Sequence, residues 1–301
     1  MLELIKPGTK FDFVGMRYKG FLFSGVLTGI CILSILIFGQ PRMGVDFRGG
    51  TDIQVKFNQA VQIDELRDVL DKSGISGISV QRFGGVGVQE YLVRFPVAKQ
   101  EDSARIHDAL TGKFGAKGFE IKREESVGPR VGKELRNKAM LATIVALLGI
   151  LIYIAYRFEF RFGVGAVIAT LHDLIVAYGA LKLCGYELNL TSVASILTVA
   201  GYSVNDTVVV FDRIRENLRK LSRQRFEEVM NAAINETLSR TIITSGATLL
   251  TVVAIFIFGG PVLRDFSFVL MVGIVIGTYS SIFIASPILL FWKQKFGKKK
   301  K

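Results

Sequence analysis

Three side chains with acid–base capacity stand inside stretches that are otherwise apolar: Asp173, Asp206 and Arg240. An ionisable group within a membrane span is costly, and by default it marks a functional site such as a proton relay. Asp173 lies about 11 residues into an apolar block, about 16 Å deep at the rise of a helix. Its helical face is Ala166, Ala169, Thr170, Ala177 and Ala180. Such small residues admit a second helix, so Asp173 is expected to face a bundle interior. His172 precedes it and is expected to point elsewhere, because helix neighbours differ by about 100°. Asp206 lies about 9 Å inside the boundary placed at Asp212, on a face with Ser195, Tyr202 and Ser203, and Arg213 follows two turns on. Arg240 opens the next apolar block, on a face that continues through Thr244, Thr248 and Thr251. Asp206 and Arg240 therefore come to similar depth on consecutive helices. A buried ion pair is expected there, its carboxylate open to protonation and release in a cycle. Blander readings stand beside this one. The pair fixes helix register only, Arg240 snorkels to the interface, and His172 packs or hydrogen-bonds.

The elements that carry these residues follow from composition. Half of the 301 residues are hydrophobic, and they gather in blocks of the length that crosses about 30 Å of hydrocarbon. The blocks are 21–38, 139–156, 162–183, 190–211, 240–258 and 266–292. Soluble core helices rarely run apolar on all sides for so long. The first block is too long and too late for a cleaved signal peptide and is read as retained. The net charge of +12 does not point to nucleic acid, because the cations sit beside the apolar blocks, where topology requires them. Residues 1–20 carry Lys6, Lys10, Arg17 and Lys19. Arg157, Arg161, the 212–239 loop with Arg213, Arg215, Arg219, Lys220, Arg223 and Arg225, and the 293–301 tail ending in Lys298, Lys299, Lys300 and Lys301 share one side. The short loops Cys184–Asn189 and Gly259–Asp265 hold only Arg264. Both termini are thus expected in the cytoplasm, with the tail near anionic lipid, and residues 44–135 outside it. Cys31 and Cys184 form neither a disulfide framework nor a metal site.

Residues 39–138, between the first two spans, read as one soluble domain with its junctions. Ile53, Val55 and Phe57 alternate as in a strand, as do Ile78 with Val80, and Tyr91 with Val93 and Phe95. Leu66, Val69 and Leu70 within 63–73, and Ile106, Ala109 and Leu110 within 104–114, have helical spacing, and Phe119 and Ile121 begin a last strand. The β-α-β-β-α-β order is ferredoxin-like. No nucleophile–base pair, metal spacing or phosphate loop is apparent, so a binding or mechanical role is expected rather than an enzyme. Gly84, Gly85 and Gly87 read as a loop or hairpin, since no helix follows them. The fold class expected is a membrane six-helix bundle with an inserted α+β domain. In the last span Gly273, Gly277, Ser281 and Ala285 recur every four residues, a close-packing face within the chain or toward another subunit.

Several runs resemble one family. They are Gly44-Val-Asp-Phe-Arg-Gly-Gly-Thr51, Val127-Gly-Pro129, Leu171-His-Asp173, Gly201-Tyr-Ser-Val-Asn-Asp-Thr-Val-Val-Val-Phe-Asp-Arg-Ile-Arg-Glu-Asn217, Ser239-Arg-Thr-Ile-Ile-Thr-Ser-Gly246 and Phe258-Gly-Gly-Pro-Val-Leu263. In this order and topology they resemble the SecF family over nearly the whole chain. The resemblance implies half of a proton-driven RND-type transporter in the bacterial inner membrane, with a periplasmic ferredoxin-like domain. It implies pairing with SecD, support of the SecYEG channel in late export of unfolded preproteins, and small accessory neighbours of the YajC type. It implies no cofactor, with protons as the coupling ion. The family's proton-linked pair maps onto Asp206 and Arg240, while Asp173 and His172 match a motif whose role is less settled. Asn205, Asp212 and Arg213 belong to the matching run, and Asp46, Gly49 and Gly50 to the junction, where glycines serve tight turns. The chain would be the form separate from SecD, or a fragment of a fused one. The other readings are a proton-coupled exporter of small molecules or lipids, and a passive scaffold for the translocon.

Overall fold

The computed structural model describes residues 11–83, 88–96, 100–221, 223–260 and 263–296. Lys6, Lys10, the Gly84, Gly85 and Gly87 loop, Pro261, Val262 and the lysine tail lie outside them. The chain divides into two compact units, residues 43–141 and the remainder.

The smaller unit begins with a single helical turn, α2 (Val45–Arg48), after the long helix α1 (Arg17–Phe38) of the other unit. There follow β1 (Gly50–Phe57), α3 (Ile63–Asp71), β2 (Ser79–Phe83), β3 (Glu90–Phe95), α4 (Gln100–Phe114) and β4 (Phe119–Val127). The strands form an antiparallel sheet in the order β2-β3-β1-β4, the ferredoxin-like arrangement. Alternation decides which face is dry. Ile53, Val55, Phe57, Tyr91, Val93 and Phe95 pack under Leu66 and Leu70 of α3 and Ile106 and Leu110 of α4, each such apolar side chain contributing about 1.5–3 kcal/mol when fully buried. The other face carries cross-strand polar pairs. Asp52 lies opposite Arg94 and the two groups meet at 3.1 Å, both nearly buried, while Arg48 reaches the second carboxylate oxygen at 3.1 Å.

The junction glycines are required by geometry. Gly49 and Gly50 have φ of 75° and 107°, a region that a side chain disfavours. A Cβ on Gly50 would lie 2.6 Å from the Phe95 carbonyl, and one on Gly49 would lie 2.9 Å from Pro129 Cα. Asp46 sits in the turn of α2 before them.

Among the described residues six helices are long and apolar enough to cross a membrane. After α1 come α5 (Pro129–Arg157), α6 (Phe160–Leu183), α7 (Leu190–Lys220), α8 (Phe226–Phe258) and a sixth made of α9 (Arg264–Ser280), a π-turn (Ser281–Ala285) and α10 (Ser286–Phe296). Helix α7 starts at a capping box in which Asn189 accepts from the Ser192 amide at 2.7 Å and the Ser192 hydroxyl accepts from the Asn189 amide at 2.8 Å. Here the structure departs from the apolar blocks. Most of the expected 212–239 loop is helical, because α7 runs on to Lys220 and α8 begins at Phe226. Residues 129–138 likewise belong to α5. Charge marks where a helix leaves the hydrocarbon, not where its backbone hydrogen bonds stop. The π-turn interrupts the last span, and Ser286 there donates to the Ser281 carbonyl at 2.9 Å, across five residues. Cys31 is buried against Gly179 and Cys184 is exposed, both as free thiols.

Replacing Gly50 with alanine introduces a side chain at positive φ against a carbonyl. The expected cost is about 1–3 kcal/mol, read as earlier protease cleavage within 43–141 of the full chain. Unchanged resistance would show that the turn relaxes freely.

Candidate functional site

Helices α6, α7 and α9 approach closely because small residues line their contacts. A Cβ on Gly273 would overlap the Val199 side chain, and one on Gly277 would lie 3.4 Å from Ser203 Cα. The four-residue stripe of the last span therefore packs within the chain, against α7 and also α6, where a Cβ on Gly165 would lie 3.1 Å from the Ala285 carbonyl.

At the centre of this contact is Asp173, with no exposed surface. Ser203 of α7 donates to its Oδ2 at 2.5 Å, Ser280 of α9 donates to the same oxygen at 2.6 Å, and His172 Nδ1 lies 2.9 Å from Oδ1. The carboxyl faces the interior, as its small-residue face implies. His172 does not point elsewhere, however: it is buried and folds back on its neighbour, since a ring on the adjacent Cα can swing around the helix to reach a carboxyl. Its Nε2 has no hydrogen-bond partner. Ser203, expected on the face of Asp206, serves Asp173 instead.

Asp206 has a different environment. It is 5% exposed, and its Oδ2 is buried without a hydrogen-bond partner. Thr241 of α8 is its near neighbour, with a hydroxyl that is likewise buried and without a hydrogen-bond partner, and Arg240 is a nearby charge. The expected direct ion pair is not formed. Among the described residues Asp206 makes no salt bridge, and Arg240 is exposed. The helical step explains it: Thr241 occupies the inward position on α8, so its neighbour Arg240 is turned toward the flank. Asn205 is exposed on the adjoining side of α7, as are Thr198 and Gly201, and α8 leaves Thr244 and Thr251 uncovered beside Arg240. Asp212 and Arg213 lie farther along α7. Asp212 accepts from Arg157 Nη2 at 2.6 Å, and Arg213 bridges Glu236 at 2.5 Å and Glu216 at 2.6 Å.

Two further polar ties went unread in the sequence. Ser245 of α8 accepts from Thr278 of α9 at 2.8 Å and from Tyr202 of α7 at 3.1 Å. Tyr279 donates to the Gly20 carbonyl at 2.7 Å and binds α1 to α9. Their signal, single hydroxyls in apolar helices, is too common to stand out.

Comparison with known proteins now decides the family. Residues 107–295 match the model for the protein export membrane protein SecD/SecF C-terminal region, and residues 35–61 match the SecD/SecF GG motif. The chain belongs to the SecF family. It is 44% identical over 299 residues to the protein translocase subunit SecF of Calditerrivibrio nitroreducens, covering 97% of each chain. It is 42% identical to that of Thermodesulfovibrio yellowstonii, covering 94% of each, and 41% identical to that of Rickettsia rickettsii, covering 99% of this chain and 97% of the relative. The crystal structure of SecDF, a translocon-associated membrane protein of Thermus thermophilus, superposes with a TM-score of 0.85 at 35% identity over 95% of this chain. SecDF in its super-membrane-facing form gives 0.67 at 34% identity over 98%. The chain spans 39% and 40% of those two SecDF chains. The expected fold class therefore holds: a multi-pass membrane bundle with a small antiparallel-sheet domain, in a family of protein-transport subunits.

The close approach at Gly273 yields a two-step expectation. Gly273→Ala drives a methyl into Val199 and lowers thermal stability in detergent by about 1–3 kcal/mol, and Val199→Ala in the same chain restores most of it. Equal melting of the single and double variants would show that α7 and α9 are not in this contact.

Proposed function

We propose that this chain works as one half of a proton-coupled pair with a SecD-type subunit, promoting late steps of preprotein translocation through a SecYEG-type channel. The observation that carries the reading is Asp206. Its Oδ2 is buried with no hydrogen bond, beside an Arg240 that the chain itself leaves uncovered. A carboxyl in that state exchanges a proton without dismantling a network. Asp173, by contrast, has both carboxyl oxygens engaged, Oδ2 by Ser203 and Ser280 and Oδ1 by His172. An exposed arginine beside uncovered polar residues on apolar helices is costly in lipid, so a second helical bundle is the natural cover for the Arg240, Thr244 and Asn205 side.

In this reading a proton reaches Asp206 along the interface with SecD. It removes the attraction of the carboxylate for Arg240 and shifts the packing of α7 against α8. The soluble domain, continuous with α1 and α5, moves in turn and holds or pulls the emerging unfolded chain. The transmembrane potential supplies about 2.3 kcal/mol per charge per 100 mV, comparable to small changes in helix packing. Both termini are cytoplasmic and residues 44–135 lie in the periplasm of the inner membrane. Accessory subunits of the YajC type are neighbours, and protons are the coupling ion.

The test is export in cells whose only copy of this protein is Asp206→Asn. Asparagine keeps the volume but cannot cycle a proton. Preprotein should accumulate while SecD still co-purifies at the normal level. Normal export with normal assembly would make Asp206 structural and the chain a scaffold.

A further inference from the structure

The end of the bundle that carries the α5–α6 and α7–α8 turns holds a cleft of about 360 Å³. It lies between the last residue of α5 and the part of α7 that runs beyond its apolar block. Its lining is Arg157, Asp212, Arg215, Glu216, Arg219 and Lys220, four cations against two carboxylates.

The arginines are pre-set. The guanidinium groups of Arg157 and Arg215 both lie over the Phe158 ring, at 5.2 and 5.6 Å, and that ring is buried. Asp212 lies between them, 2.6 Å from Arg157 and 3.7 Å from Arg215, and Arg215 also donates to the Arg157 carbonyl at 3.4 Å. One carboxylate cannot neutralise two guanidinium groups held on one ring. Lys220 is matched by Glu216 at 2.6 Å, and Glu216 is shared with Arg213. Among the described residues Arg219 makes no hydrogen bond or ion pair. Planar guanidinium groups favour a phosphate, which each can hold with two parallel hydrogen bonds.

The surroundings select the source of that phosphate. Directly before Arg157, α5 exposes Ile152, Tyr153 and Tyr156, and Phe160 is exposed just after it. This apolar, aromatic tract lies at the end of a membrane helix, where acyl chains pass and where aromatic rings favour the headgroup level. We propose that this cleft binds the phosphate of an anionic phospholipid headgroup, with the acyl chains along α5. The lipid would clamp the end of α5 to the extension of α7. Which leaflet supplies the lipid follows from the orientation proposed above, but the site does not depend on it.

Native mass spectrometry of the full chain, purified in detergent and offered a mixture of phosphatidylglycerol and phosphatidylcholine, tests this. The wild type should retain the anionic lipid about tenfold over the zwitterionic one, the worth of one charge-assisted contact. The double variant Arg157→Gln/Arg219→Gln should lose that preference. Arg219→Gln alone removes no hydrogen bond or ion pair among the described residues and should lower it without loss of fold. Lys293→Gln, a cation outside the cleft, should leave it unchanged. The proposal is overturned if retention ignores headgroup charge, or if Arg157→Gln/Arg219→Gln retains like wild type. It is also overturned if millimolar inorganic phosphate displaces the lipid completely, which would mark a site for a soluble anion.

Discussion

A carboxyl group is costly to place among apolar helices unless its oxygens are engaged, and Asp173 meets that cost by drawing three helices together. Ser203 and Ser280 donate to one oxygen and His172 lies against the other, so α6, α7 and α9 must approach to hydrogen-bond distance at that level. The approach is possible only where side chains are small. Gly277 stands beside this carboxyl, and Gly273 one turn away admits Val199. The π-turn directly after Ser280 and the Tyr279 tie to α1 extend the same packing to the first helix. The arrangement holds α7 on one side, while Asp206 is buried toward α8 and its neighbour Asn205 is exposed.

The two interior carboxyls thereby divide their roles. Asp173 accepts from two serines, has His172 against its other oxygen, and ties α6, α7 and α9 together. Asp206 is buried beside Thr241 with an unpartnered oxygen and lies at the margin of what this chain encloses. A group at such a margin is where the state of a second subunit and the charge of a carboxyl can be linked. Within the soluble unit the Arg48–Asp52–Arg94 cluster and the Gly49–Gly50 turn set the start of the central strand.

Much of this was legible in the residues themselves. The alternation of Ile53, Val55 and Phe57 and the helical spacing of Leu66 and Leu70 are local patterns, and they yield the β-α-β-β-α-β order directly. The interior direction of Asp173 follows from Ala166, Ala169 and Ala177 on its own helix. Its partners do not follow, because Ser203 and Ser280 lie 30 and 107 residues away, and any of several serines would have served. The separation of Arg240 from Asp206 was hidden for a related reason. A one-residue difference in helical phase, 100°, exchanges an inward Thr241 for an outward Arg240, and the block pattern does not resolve it. The extensions of α7 and α8 beyond the apolar blocks are not legible from hydropathy, which falls there while helix propensity does not.

Proton coupling in this chain depends on which of the two carboxyls changes protonation. Infrared difference spectra of the full chain in membranes, recorded as pH is changed, report a protonated carboxyl directly. The division of roles predicts a pH-dependent carboxylic band that disappears in Asp206→Asn and persists in Ser203→Ala, where the Asp173 contacts are weakened but Asp206 is untouched. A band that survives Asp206→Asn and vanishes or shifts in Ser203→Ala would assign the titration to Asp173 and contradict the account.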